Sequence, residues 1–299
     1  MTTRIALATA AEFPDLDEDG SLLLEALARR GVRGEPAVWT DEGVSWSSYA
    51  AVIVRSTWDY FHRRAEFLEW ADRVAAVTRL ANNADVLRWN TDKTYLRELA
   101  EAGLPVVETT WLHPGEEFVV PERGEYVVKP AVSAGSNDTN RYVAGTHDAL
   151  ATEHVSRLLD DGRVVMVQPY LHEVDTAGET ALLFFAGEFS HAIRKAALLE
   201  TAMASLEAAY RPETITAREP SAAERDTAER VLDTVSALRR WPREQLTYAR
   251  VDLVPGTGSA PTLLELELTE PSMFLTDDAG SADRFAAAIA ALVGVEPAE

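Results

Sequence analysis

The sequence contains no cysteine. Disulfides, thiolate metal centres and thiol nucleophiles are excluded together by that one absence. Lysine is nearly missing as well: Lys and Arg together number 28, yet lysine stands only at Lys93, Lys129 and Lys195. A guanidinium fork is a poor substitute for a compact ammonium point charge. A chain that uses arginine almost everywhere and keeps lysine at three positions has a reason for those three, and three such charges can converge on one polyphosphate. Positive charge is scarce overall: the net charge is −21 and the pI near 4.7, which argues against a nucleic-acid backbone or an anionic membrane surface as partner. No apolar run approaches the ~20 residues needed to span a bilayer. Met1-Thr2-Thr3-Arg4 leads straight into a strand-like segment without a signal-peptide core. A soluble cytoplasmic protein is the expectation.

What is present suits a globular enzyme. The chain has 299 residues, of which 46% are hydrophobic and 26% charged, enough for two or three subdomains. Buried strands are expected at Arg4–Ala10 and Tyr49–Arg55, with helices at Leu22–Arg30 and Ala65–Val77 and a short strand at Val38-Trp39. This alternation predicts a parallel α/β layer over residues 1–90. Asn82–Asn90 reads as a polar, irregular crossing. A helix over Lys93–Ala102 and a β-rich stretch follow, up to a strand at Val164–Leu171, giving a second unit over 91–166. Residues 167–299 form a third, with a hairpin about Ala186-Gly187, a helix over Ser221–Leu238, paired strands Leu246–Val254 and Leu263–Leu268, and a closing helix. Glu200–Glu219 is the least regular part.

Three stretches carry chemistry. In Glu125-Tyr126-Val127-Val128-Lys129-Pro130 an apolar strand ends in a lysine, and the small polar loop Ser133–Thr139 follows. That design sets a positive charge beneath backbone N–H donors that can approach phosphate oxygens closely. The lysine precedes the glycine, so this is not a Walker A loop. On the late strand pair, period-two alternation puts Arg250 with Asp252 on one face and Glu265 with Glu267 on one face. Three carboxylates with one arginine repel unless a cation joins them, and hard oxygen ligands favour Mg²⁺ or Mn²⁺. Gln168-Pro169-Tyr170-Leu171 is a strand end suited to a purine edge, with Glu173, Asp175 and Glu179 following as candidate acceptors for ribose hydroxyls. The six histidines show no metal spacing and no triad partner. In an open α/β sheet ligands sit beyond the strand carboxyl ends, where Asp17 and Arg55-Ser56-Thr57-Trp58-Asp59-Tyr60 fall.

The order Asp92-Lys93, Val127-Val128-Lys129-Pro130, Gln168-Pro169-Tyr170-Leu171, Arg194-Lys195, Arg250-Val251-Asp252 and Leu264-Glu265-Leu266-Glu267 resembles the ATP-grasp superfamily. The blocks cover most of residues 91–275. The resemblance implies an ATP-grasp fold of α/β (α+β) class behind an N-terminal parallel α/β domain. Residues 1–90 would lie on the substrate side, 91–166 would form the small subdomain with the phosphate-covering loop, and 167–299 the large subdomain with the metal site. It implies that Lys93, Lys129 and the loop with Ser133, Gly135 and Ser136 hold ATP phosphates, that Gln168, Tyr170 and Leu171 meet adenine, and Glu179 the ribose. Arg194 or Lys195 would reach the γ-phosphate side, Arg250 is a further catalytic candidate, and Asp252, Glu265 and Glu267 would hold Mg²⁺. Glu267 departs from the pattern, because that position is usually asparagine. A homodimer is common among relatives.

Arg55–Tyr60 and Asn82–Leu96 resemble a narrower branch, the D-cycloserine synthetases, which cyclise O-ureido-D-serine. This implies ATP-dependent phosphorylation of a small amino acid's carboxylate and ring closure by the substrate's own ureido nitrogen. The alternatives are an intermolecular, dipeptide-type ligase and a nucleotide-binding protein without catalysis. For the substrate, Arg55 or Arg250 is expected to pair with the carboxylate, Asp59 or Asp17 to take the ammonium group, and Trp58 to line the pocket.

Overall fold

The computed structural model describes residues 2–196, 214–256, 258 and 260–295. Its first layer is a parallel sheet in the order β2 (Val32–Val38), β1 (Thr3–Thr9), β3 (Ala51–Val54), β4 (Arg79–Ala81). All four residues of β3 are buried, as expected for an apolar run with helices on both faces. Helices α1 (Gly20–Arg29) and α2 (Arg64–Ala75) supply the crossovers.

Helix α3 (Ala84–Asn90) corrects the expected irregular crossing. Asn83 caps it by accepting from Val86 N, while Val86, Leu87 and Trp89 are buried. A side-chain cap plus tertiary burial is enough for a two-turn helix that polarity alone disguises. Helix α4 (Tyr95–Glu101) comes next.

An antiparallel sheet in the order β5 (Thr110–Leu112), β8 (Val165–Pro169), β6 (Glu125–Pro130), β7 (Asn140–Val143) is backed by α5 (Asp148–Asp160) and has its own core around Tyr126, Val128, Val155 and Leu158. The expected division after residue 166 passes through β8, which stays in this sheet to Pro169. After the single turn α6 (Val174–Ala177) comes a five-stranded antiparallel sheet: β11 (Ile215–Ala217), β10 (Glu188–Lys195), β9 (Glu179–Phe185), β12 (Tyr248–Pro255), β13 (Pro261–Glu267). Within the stretch expected to be least regular, 215–217 is thus an edge strand, and 200–213 lies outside the described residues. Helix α7 (Ala222–Arg239) opens with a Ser221/Glu224 capping box. Helix α8 (Ser281–Leu292) packs on α1.

One face of the five-stranded sheet shares a core with the first layer, where Ile5, Leu7 and Leu23 join Leu183, Phe185, Tyr248, Phe285 and Ile289. Its other face packs under α4 and α7. Two buried asparagines stitch the layers. Asn82 Nδ2 donates to Tyr248 O at 2.9 Å and to Leu268 O at 2.7 Å, and its Oδ1 accepts from Thr247 N at 2.8 Å. Asn90 Nδ2 donates to Leu266 O, and its Oδ1 accepts from Leu268 N and Thr269 Oγ1. Both hold the main chain just beside Glu265 and Glu267. Asn82→Ala strands a buried amide and two carbonyls, so urea melts should lose about 3 kcal/mol. A midpoint unchanged from wild type would remove Asn82 from this role.

Candidate active site

In the β12–β13 pair Arg250 stands opposite Glu267 and Asp252 opposite Glu265, and the register shifts by one residue just after Asp252. Directly opposed residues project to the same face. The arginine and all three carboxylates therefore share one side, as the alternation predicts.

Asp252 accepts from Arg250 Nε at 2.9 Å and Nη2 at 3.0 Å, and from Lys195 Nζ at 2.7 Å. Arg250 also donates to Glu267, and through Nη1 to Ser272 O at 3.3 Å. Lys93 Nζ lies 3.0 Å from Glu265 Oε1 and donates to Ser133 O at 2.8 Å. The three lysines, scattered in sequence, gather on one group of carboxylates, each no more than 8% exposed. Lys129 differs from the other two. It has no hydrogen-bond or ion-pair partner among the described residues, and it feels Glu265, Lys93 and Glu179 only through their fields.

The charges respond accordingly. Burial lowers the Lys129 ammonium below the usual lysine value, and Lys93 pushes it the same way against Glu265 and Glu179. For Lys93 and Lys195 burial acts downward too, but their carboxylate neighbours outweigh it and raise both. Burial would raise Asp252, yet Arg250 and Lys195 hold it down at about 2. Glu267 is pushed up to about 7, by burial first and then by Glu265 and Asp252. Such an excess of crowded carboxylate is relieved by a further cation.

Among the described residues no group of three acidic or histidine side chains stands ready-made as a metal cage. The expected ligands face protein cations instead: Asp252 binds Arg250 and Lys195, Glu267 binds Arg250, and Glu265 binds Lys93. The donors are nonetheless all hard oxygens, the kind that suit a divalent cation such as Mg²⁺. For three oxygens to meet on it, Lys93 and Arg250 must give up contacts to Glu265 and Glu267.

The loop over Lys129 has left-handed backbone at Gly135, Ser136 and Asp138. Ser133 is buried, while Gly135 and Ser136 are exposed. No backbone N–H from Ser133 to Ser136 donates to a protein acceptor among the described residues, whereas Asn137 N and Thr139 N close turns within the loop. Backbone N–H groups left unpaired in such a loop suit an anion. Arg157 and Arg163 grip Asp138 and so tie the loop's far end to α5 and the turn after it.

At the strand end, Leu171 packs with Val107, Val174, Val254 and Leu264, making an apolar wall beside β12 and β13. Gln168 Nε2 donates to Thr109 Oγ1, and Tyr170 Oη to Asp175 under the Arg141 guanidinium, 3.5 Å from the ring centre. Glu179 lies opposite Lys195 in the β9–β10 register. Arg194 is not brought to the cluster. Strand alternation turns it away from Lys195, and it donates to Ala177 O at 2.6 Å and Thr176 O at 2.9 Å, closing the end of α6. Arg194→Ala should leave kcat within about threefold and lower stability by about 1 kcal/mol; loss of turnover in ADP-release assays would return it to the site.

On the first layer, Arg55 is 1% exposed and donates to Asp17 Oδ2 at 3.2 Å and to Pro271 O at 3.1 Å. Trp58 Nε1 donates to Glu270 O at 3.0 Å. Asp59 is spent elsewhere, accepting from Trp39 Nε1 at 2.8 Å and Arg63 at 2.6 Å. Its place in the aromatic cluster of Trp39, Phe67 and Trp70 is structural. The sequence reading missed Glu270, although Thr269-Glu270-Pro271 directly continues the charged strand.

A crystal structure of D-cycloserine synthetase DcsG superimposes with a TM-score of 0.86 at 38% identity, covering 97% of this chain and 99% of that one. The cycloserine biosynthesis protein DcsG of Streptomyces lavendulae is 39% identical over 297 residues, 96% of this chain and 97% of that protein. The chain belongs to the D-cycloserine synthetase family. The family model for the N-terminal domain of D-cycloserine synthetase matches residues 5–82, the layer that carries Asp17, Arg55 and Trp58. More distant structures share the fold. A D-alanine–D-alanine ligase from Bacillus anthracis complexed with ATP matches at TM-score 0.64 and 14% identity, over 98% of this chain and 97% of that one. The ATP-grasp ligase PsnB with Mg and ADP matches at 0.59 and 20%, over 97% and 98%. The fold of this D-cycloserine synthetase family member is ATP-grasp, as the spaced lysine and carboxylate blocks implied.

Proposed function

We propose that the protein is an ATP-dependent cyclo-ligase that converts O-ureido-D-serine to D-cycloserine. The observation that carries the phosphoryl-transfer half is Lys129: a buried ammonium whose side chain has no partner among the described residues, beside Lys93 and followed by a loop with unused N–H groups, suits an anion. Family membership over almost the whole chain supports the substrate.

In this reading Lys129, Lys93 and the loop with Ser133, Gly135 and Ser136 take phosphate oxygens. Leu171 and the Gln168–Tyr170 main chain bound the adenine, and Glu179 the ribose. Arg250 and Lys195 face the phosphoryl group in transit. Mg²⁺, with Mn²⁺ as a substitute, would be held by Asp252, Glu265 and Glu267, and supplies charge neutralisation. Positioning and neutralisation are what phosphoryl transfer asks of a protein, with no protein nucleophile needed. The substrate carboxylate takes the γ-phosphoryl group of ATP to become an acyl phosphate, releasing ADP. The ureido nitrogen displaces phosphate to close the five-membered ring, and water then cleaves the N-carbamoyl group, which leaves as CO₂ and ammonia while the ring nitrogen keeps a proton. Its co-substrate ATP puts the enzyme in the cytoplasm.

The test is ADP release with Mg²⁺-ATP and O-ureido-D-serine, with mass spectrometry of the product. ADP together with a cyclised product is expected. ADP that appears only after a second amine is added would mean an intermolecular ligase, and tight ATP binding without ADP from any carboxylate would mean no catalysis.

A further inference from the structure

Glu270 is the one acidic side chain of the cluster that has been given no work. It is 8% exposed, yet its carboxylate has no hydrogen-bond or ion-pair partner among the described residues. Both its oxygens are absent from the buried atoms that are sealed off without a partner, so the carboxylate meets open space at the edge of the site. Its main chain is fixed. The carbonyls of residues 270 to 273 are held by Trp58, Arg55, Arg250 and His191, and Asp19 accepts from Met273 N at 3.1 Å and Leu275 N at 2.7 Å. A carboxylate on so rigid a support is positioned for a ligand.

The local cations are already committed. The charges that act on Glu270 are Glu267, Lys93, Glu265 and Arg250. Lys93 serves Glu265 and Ser133 O, while Arg250 serves Asp252, Glu267 and Ser272 O. Burial and these carboxylates raise Glu270 well above the usual range. A second observation lies across the same junction. Asp17 Oδ1 and Thr57 Oγ1 are buried without partners, and Arg55 links Asp17 to the carbonyl next after that of Glu270. A nearly buried carboxylate without a partner calls for a donor carrying positive charge.

We propose that Glu270 receives the α-ammonium group of the amino-acid substrate and so selects an amino acid over a plain carboxylic acid. This rests on the proposed ligase reading and names the part of the site that reads the amine.

The experiment compares wild type, Glu270→Gln and Glu270→Asp in ADP release with O-ureido-D-serine and with its analogue lacking the amino group. Glu270→Gln should raise KM for the amino acid at least about tenfold and bring its preference over the analogue close to unity, with KM for ATP and the Mg²⁺ requirement unchanged. Glu270→Asp should keep part of the preference, and it stands in if the Gln variant does not fold. The Gln variant without ligands should melt no lower than wild type, because a buried carboxyl group without a partner has been replaced by a neutral amide of similar shape. An unchanged KM and preference overturns the proposal. So does a raised Mg²⁺ requirement at unchanged KM, which would make Glu270 a metal ligand. If wild type turns over no O-ureido-D-serine, the cyclo-ligase reading fails. Glu270 is then judged by thermal-shift protection from D-serine against 3-hydroxypropanoate, a difference that must exist in wild type and vanish in Glu270→Gln.

Discussion

Lys129→Ala is expected to lower kcat/KM for ADP release by about a thousandfold or more while leaving the protein folded. Losing one preorganised charge at developing phosphoryl charge costs ~10²–10³ in rate, and this ammonium also holds ground-state phosphate. Folding should not suffer, since Lys129 has no protein partner among the described residues and burial already disfavours its charge. The melting temperature without ATP should equal or exceed that of wild type, and the stabilisation given by added ATP should shrink. Lys129→Arg should rescue little, because a planar fork does not fill the space of an ammonium at the end of a buried strand. Near-normal turnover in Lys129→Ala would remove it from the phosphate site.

Asp252→Asn should do the opposite to stability. Asp252 is 3% exposed and neutralises Arg250 and Lys195 together. Removing one partner of a buried ion pair leaves uncompensated charge and costs about 3–5 kcal/mol. Arg250 then keeps its ion pair with Glu267, and Lys195 is left with only the fields of Glu179 and Glu267. The variant should show a lower urea midpoint, no detectable ADP release and a lost Mg²⁺ dependence of ATP binding. Activity with a normal midpoint would mean that Asp252 neither organises the cluster nor holds the metal. The two variants separate the roles: Lys129 serves the ligand, whereas Asp252 serves both ligand and fold.

Much of this site was legible from the residues because its chemistry repeats at fixed strand periods. Arg250 with Asp252, and Glu265 with Glu267, fell on one face because side chains alternate and the hairpin register put the two pairs opposite each other. The three lysines stood out only because arginine fills every other basic position. Arg194 misled for the same periodic reason: next to Lys195 in sequence, it points to the other face and closes α6. Asp59 misled because its sequence neighbourhood says nothing of Trp39 and Arg63, which claim it from other elements. Asn82 and Asn90 looked like loop polarity, although they are buried and bonded to backbone more than 160 residues away. Local pattern reports which face a side chain takes; it does not report what arrives on that face from afar.

The gathering of every lysine in one buried place has a practical side. An amine-acylating label, or a protease that cuts after lysine, meets no lysine on the folded surface, the chain's amino terminus aside. Covalent tagging of lysine by mass therefore becomes a clock for the opening of the site itself. Bound nucleotide should slow that clock at Lys93 and Lys129, and coupling the enzyme to a solid support through its lysines should cost it its activity.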